Sequence, residues 1–142
     1  MKYALVLALC LFVSPTFAQW DRPLDRGGRV APYYADIAVA RGQHRISGDC
    51  VSACSAWLGY RGTCIEPSAR VYFHAVERNH PLGAEANPWT LVDPAGTDRM
   101  MAHYPPKVRA IVASWMQSPE LSETHSLSGR DLTGLGVPAC DR

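Results

Sequence analysis

The sequence predicts a small α/β domain with a short parallel sheet that is stabilised by disulfides. Segments with apolar residues at helical spacing alternate with short extended segments, which is the order expected of strand–helix units. The chain has 142 residues, a length that fits one domain. Its cysteines are even in number once an N-terminal leader is set aside, and an even set in a small exported domain is typical of a disulfide framework.

The N-terminus has the layout of a signal peptide. Lys2 gives a positive start, and an apolar run from Tyr3 to Val13 follows it. That run is too short to span a bilayer, and Thr16-Phe17-Ala18 offers small residues where signal peptidase requires them. We therefore expect a signal peptide over residues 1–18, a domain over residues 19–142, and a periplasmic or secreted location. The alternative is an N-terminal anchor that is kept.

Composition argues against several classes of partner. The chain has 14 basic and 13 acidic residues and no basic stripe, so we do not expect it to bind nucleic acid. Beyond the N-terminal run, no segment of the sequence is long and apolar enough to cross a membrane. We also expect no cofactor and no bound metal.

The first predicted helix follows Gly27-Gly28 and stops at Gly42, because glycine interrupts regular structure. Pro32 fits its first turn. Its apolar residues recur at helical spacing, namely Val30, Tyr33, Tyr34, Ile37 and Ala38. A short extended segment over residues 44–47 and a turn at Gly48 come next.

The middle of the chain is predicted to form a helix, two strands and a loop. Residues 52–60 are small or apolar, which favours a buried helix, and strands are predicted at residues 64–65 and 69–73 on either side of a Pro-Ser turn. His80 to Asp93 is a long loop with three prolines or glycines. A loop of this length is either a lid over a site or an ordered surface segment.

Pro105-Pro106 opens the clearest helix, predicted over residues 105–117. One face of it is apolar, with Val108, Ile111, Val112, Trp115 and Met116 at helical spacing. We expect this stripe to pack in the core or to form a contact between subunits. Ser128 is the expected N-cap of a short last helix that ends at Gly134 and Gly136.

Four cysteines remain after the leader: Cys50, Cys54, Cys64 and Cys140. Three pairings are possible, and the sequence does not choose among them. If a helix starts between Cys50 and Cys54, those two can pair locally and Cys140 then ties the C-terminus to Cys64. The competing interpretation is a zinc site formed by Cys50, Cys54, Cys64 and His74, although the spacings do not match the usual paired ligands.

Ser52 lies between two cysteines at the predicted start of a helix. A nucleophilic serine needs a base to take its proton and donors to hold an oxyanion. His74 ends the next long strand, and the backbone N–H of Ala53 lies at the positive end of the predicted helix. The alternative is that Ser52 only caps the helix.

Three segments in order resemble the Clp protease proteolytic subunit and its crotonase-like relatives, and resemble even more the short exported Clp-like proteins with a Cys-x-Ser-Ala-Cys core. They are Gly27-Gly28-Arg29-Val30, the stretch Ile46 to Cys54, and Pro67-Ser68-Ala69-Arg70-Val71-Tyr72-Phe73-His74. The likeness covers residues 27–74 and, more loosely, residues 127–137. It implies a truncated Clp/crotonase-like fold with Ser52 as nucleophile, His74 as general base, and the N–H groups of Gly28 and Ala53 as the oxyanion hole.

The chain departs from the family pattern at the group that orients the histidine. The family's acid falls near Thr124, with Glu123 beside it, so either residue or neither acts as the third member. Two functions follow. One is a serine hydrolase acting on a peptide or another small acyl substrate. The other is a non-catalytic binding or assembly module, with the helix over residues 105–117 as a possible contact between identical subunits.

Overall fold

The computed structural model describes residues 24–25, 29–78, 92–118 and 125–141. Predictions that concern the leader, Gly28, most of the loop after His80, Glu123 and Thr124 lie outside these ranges. The elements in chain order are β1 (Leu24–Asp25), α1 (Val30–Val39), β2 (His44–Ile46), β3 (Asp49–Val51), a 3₁₀ helix (Ser52–Gly59), β4 (Thr63–Ile65), β5 (Arg70–Tyr72), α2 (Pro94–His103), α3 (Pro106–Met116), β6 (Ser126–Ser128) and α4 (Gly129–Gly134).

The strands form two small sheets. One has the order β1-β3-β5-β6, with β1, β3 and β5 parallel and β6 antiparallel at the edge. The other pairs β2 with β4 in parallel. The predicted α/β class with a short parallel sheet is confirmed, and the antiparallel edge strand is an addition to it.

The core forms where side chains from β5 meet helix α3. Burial alternates along β5 and the residues after it, as a strand requires, so Val71, Phe73 and Ala75 are buried while Tyr72 and His74 are half-buried. From α3, the fully buried residues are Val108, Val112 and Met116. The apolar stripe of α3 therefore packs into its own chain, whereas Ile111 is 42% exposed on the outer side.

Two disulfides join the elements. Cys50 in β3 pairs with Cys54 in the 3₁₀ helix, and Cys64 in β4 pairs with Cys140 near the C-terminus. The local pairing that depended on a helix start between Cys50 and Cys54 is confirmed. The zinc alternative is wrong, because the thiolates that it needs are bonded to each other.

The segment after β3 is a 3₁₀ helix, which is tighter than the expected α-helix. Its buried residues are mostly small, and this lets neighbouring backbone approach closely. At Gly59 a Cβ would lie 2.5 Å from the carbonyl oxygen of His103, so the close contact with the end of α2 requires glycine.

Helix α4 starts as the sequence predicts. The hydroxyl of Ser128 accepts from the N–H of Asp131 at 3.2 Å, and the carboxylate of Asp131 accepts from the N–H of Ser128 at 2.9 Å. This reciprocal capping box lowers the pKa of Asp131 through its hydrogen bonds with Ser128, first from the side chain and then from the backbone. Among the described residues, no helix has the length and apolarity needed to cross a membrane.

Candidate active site

Ser52 occupies a strained position at the junction of β3 and the 3₁₀ helix. Its φ is +55°, and no other non-glycine residue in the described ranges has a positive φ. The left-handed region costs an L-residue about 1–2 kcal/mol, so it persists only where the surroundings impose it. A serine on a strained strand-to-helix turn is also the arrangement that exposes the nucleophile in many hydrolases.

Two constraints hold this turn. The Cys50–Cys54 disulfide links the residue two before Ser52 to the residue two after it, with Cα atoms 5.5 Å apart. The hydroxyl of Ser55 donates to the carbonyl oxygen of Ser52 at 2.6 Å. The disulfide therefore ties the strand side of the turn to the helix side, and the short hydrogen bond fixes the carbonyl of Ser52 within the first turn of the helix.

The register of the sheet brings His74 to the same end as Ser52. Val51 lies opposite Tyr72 in the parallel pairing of β3 and β5. Ser52 lies one residue after Val51 along the chain, and His74 lies two residues after Tyr72. Neighbouring strands are about 4.8 Å apart, so both residues emerge at the carboxyl ends of adjacent parallel strands. Ser52 and His74 are each half-buried.

The hydrogen bond of His74 determines which ring nitrogen can act as a base. Nδ1 lies 2.8 Å from the carbonyl oxygen of Ala75. A carbonyl oxygen only accepts, so Nδ1 carries the proton and Nε2 of the neutral ring keeps its lone pair. A general base for a serine hydroxyl needs this tautomer, which a triad obtains from a carboxylate. Here a main-chain carbonyl occupies the orienting position.

The third member predicted at Glu123 or Thr124 lies outside the described residues. The next residue along, His125, is described, and its carbonyl oxygen accepts from the N–H of Phe73 at 2.8 Å. The His125 ring stacks on Trp115, with centroids 5.2 Å apart and planes 7° apart. Strand β6 therefore begins beside the residue that precedes His74, and His125 itself is engaged with α3.

Of the two predicted oxyanion donors, Ala53 lies within the described residues. Gly28 lies outside the described residues. Ala53 is in the first turn of the 3₁₀ helix, where backbone N–H groups have no acceptor within the helix. Ala53 is 0% exposed, so an acyl group can reach its N–H only when the atoms that cover Ala53 move aside.

An open depression of about 550 Å³ lies at the opposite end of β5. It is lined by Pro67, Ser68, Ala69, Arg70, Ser128 and Arg130. Arg70 begins β5, whereas His74 follows its end, so this depression is separate from the Ser52 junction. Within the described ranges, no cluster of three or more histidine, cysteine, aspartate or glutamate side chains is placed to hold a metal ion.

Two polar residues behind Ser52 had no part in the expected site. Ser55 and Tyr104 are almost completely buried, and their hydroxyl oxygens are 2.6 Å apart. Ser55 gives a weak sequence signal, because it lies three residues after Ser52 on a predicted helix. Tyr104 gives none, since it lies 49 positions from Ser55 in the sequence.

Comparisons with protein-family models, with curated proteins and with solved structures found no match to the chain.

Proposed function

We propose that the chain is an exported serine hydrolase that transfers an acyl group, from a peptide or another small acyl substrate, to water. One observation carries the proposal: Ser52 has a left-handed backbone at the end of β3, next to the strand whose end carries a histidine with an accepting Nε2. The disulfides support export, because such bonds form in oxidising compartments.

The chemistry uses this chain's own groups. The Oγ of Ser52 attacks the acyl carbon while Nε2 of His74 takes its proton. The imidazolium returns that proton to the leaving group as the bond from carbon to the leaving group breaks. Water then attacks the acyl-serine, with His74 again taking a proton and returning it to Ser52.

The remaining roles are proposed from the family resemblance. The N–H groups of Gly28 and Ala53 would hold the oxyanion, and Glu123 or Thr124 would assist His74. The bond from Nδ1 to the carbonyl of Ala75 supports a site that does not depend on a carboxylate. Removing the acid of a triad lowers the rate without abolishing the chemistry, so this site is expected to be slow.

Labelling with a fluorophosphonate tests the proposal. The serine oxygen displaces fluoride from phosphorus, so an active protein gains a stable adduct on one residue. The wild-type protein should be labelled and Ser52→Ala should not. Ser68→Ala is the matched control, because Ser68 is an exposed serine far from the junction. Absence of labelling in pure, folded wild-type protein overturns the proposal.

A second candidate is a non-catalytic binding or assembly module, and the complete burial of Ala53 favours it. In that case Ser52 is only a residue of a strained turn. A contact between identical subunits through α3 would use the outer side around Ile111, because the rest of the stripe faces the core. Folded protein that resists labelling and sediments as an oligomer that Ile111→Asp dissociates would support this candidate.

A further inference from the structure

We infer that Ser55 and Tyr104 are positioning residues, which hold the backbone of Ser52 in its left-handed conformation through a relay of two hydrogen bonds. The inference rests on the proposed function where it concerns the reactivity of Ser52. The relay runs from the hydroxyl of Tyr104, through the hydroxyl of Ser55, to the carbonyl oxygen of Ser52. Both links are 2.6 Å long.

The direction of the relay follows from counting protons. The carbonyl oxygen of Ser52 can only accept, so the single hydroxyl proton of Ser55 is committed to it. The contact between Ser55 and Tyr104 therefore has Tyr104 as donor. Burial raises the pKa of Tyr104 well above its ordinary value, which keeps that proton in place.

The relay is shielded from water. Ser55 is 0% exposed and Tyr104 is 3% exposed. Solvent therefore cannot replace either partner, and loss of one link leaves a buried polar group unpaired. The pair therefore restrains the carbonyl of Ser52.

Tyr104 also contacts the strand that carries the base. Its ring packs edge-on against Phe73, with centroids 5.7 Å apart and planes 84° apart. Phe73 directly precedes His74. Tyr104 is itself fixed between α2 and α3, where its N–H donates to the carbonyl of Met101 at 3.1 Å. One side chain thus supports both the serine side and the histidine side of the junction.

Two single variants and their combination separate positioning from stability. Ser55→Ala removes the hydroxyl donor to the carbonyl of Ser52 and leaves the hydroxyl of Tyr104 without its acceptor. Tyr104→Phe removes one link and keeps the bond to Ser52. The double variant Ser55→Ala/Tyr104→Phe removes the orphaned hydroxyl of Tyr104, so it should regain part of the lost thermal stability, while the carbonyl of Ser52 still lacks the hydroxyl donor.

The experiment measures the fluorophosphonate labelling rate of Ser52 and the melting temperature for each variant. We expect labelling to fall on the order of ten- to a hundredfold in Ser55→Ala and in the double variant, and less in Tyr104→Phe. The matched control is Tyr60→Phe, which removes a tyrosine hydroxyl bonded to the carbonyl of Gly42 at 2.9 Å, away from Ser52. It should label at the wild-type rate.

The double variant decides the outcome. Labelling that stays low while the melting temperature recovers supports positioning, whereas labelling that recovers with the melting temperature overturns it. If wild-type protein is not labelled at all, the proposed function fails. Crystal structures of the variants then test whether the relay holds the backbone of Ser52. The φ of Ser52 should then stay positive in Tyr60→Phe and turn negative in Ser55→Ala; a positive φ in Ser55→Ala overturns the inference.

Discussion

A disulfide joins Cys50 to Cys54 across a turn whose middle residue is Ser52, and its Cα atoms lie 5.5 Å apart. The second disulfide, Cys64–Cys140, connects residues 76 positions apart and ties the C-terminal segment to β4. The two bonds thus have different consequences. The first shapes the turn at Ser52, and the second restricts most of the chain.

Removing each disulfide should therefore affect different properties. By loop entropy, the short loop contributes about 2 kcal/mol and the long one about 4.5 kcal/mol to the free energy of unfolding. We expect Cys50→Ser/Cys54→Ser to lower the labelling rate of Ser52 at least about tenfold, because the turn relaxes. We expect Cys64→Ser/Cys140→Ser to lose more stability and to label at nearly the wild-type rate while folded.

Urea unfolding and labelling, both at a temperature where each variant is folded, check this prediction. The two double variants serve as controls for each other. Equal labelling rates in both would show that the Cys50–Cys54 bond does not shape the reactive turn.

Alkaline pH should destabilise the protein through Tyr104. The folded pKa of Tyr104 is raised by burial, so the unfolded chain loses this proton first as pH passes the ordinary value of 10. Stability is fully present below about pH 10 and declines above it, by up to about 1.4 kcal/mol per pH unit for this one group.

Urea unfolding of wild type and Tyr104→Phe at pH 8 and pH 11 measures the effect. At pH 8, Tyr104→Phe should be less stable than wild type by about 1 kcal/mol, because it lacks one hydrogen bond. Between pH 8 and pH 11 it should lose less stability than wild type does. Tyr60→Phe is the control for the loss of a tyrosine hydroxyl and its hydrogen bond. Parallel slopes for wild type and Tyr104→Phe would contradict the assignment of Tyr104 as a buried donor.

Two glycines of α4 should respond oppositely to alanine. A Cβ at Gly129 would overlap the carbonyl oxygen of Glu66, a main-chain atom that cannot rotate away. A Cβ at Gly134 would meet nothing within 4 Å. Gly129→Ala should cost about 1–3 kcal/mol or more, and Gly134→Ala should be neutral or stabilising by up to about 1 kcal/mol. Thermal unfolding of both variants checks this. Equal changes in melting temperature would contradict the steric overlap expected at Gly129.

The elements that the sequence predicted correctly have strong local signals. Helix α1 begins two residues before Pro32 and ends before Gly42, and α3 begins at Pro106 with an apolar stripe. Helix α2 was not predicted, because its buried residues include Gly96 and Thr97, which do not form an apolar stripe. Strand β6 was also missed, since it has three residues and exists only through its long-range pairing with β5.

The candidate site also has features with a local sequence signal and features without one. That Ser52 lies at a helix start and His74 at the end of a later strand could be predicted from local sequence signals, but the pairing of β3 with β5, which skips β4, has no such signal. The positive φ at Ser52 could not be predicted either, since serine has no preference for the left-handed region and the turn is imposed by surrounding bonds. The support from Tyr104 depends on a tertiary contact across 49 positions, for which no local pattern exists.

The dependence of Ser52 labelling on His74 is the decisive measurement for the proposal that His74 activates Ser52. Peptide mapping after fluorophosphonate treatment locates the adduct, and the rate is compared between wild type and His74→Ala, with His44→Ala as the control histidine variant. We expect an adduct on Ser52, a rate lower by about a hundredfold or more in His74→Ala, and an unchanged rate in the control. An adduct elsewhere, no adduct, or a rate that His74→Ala leaves unchanged would overturn the pairing of Ser52 with His74.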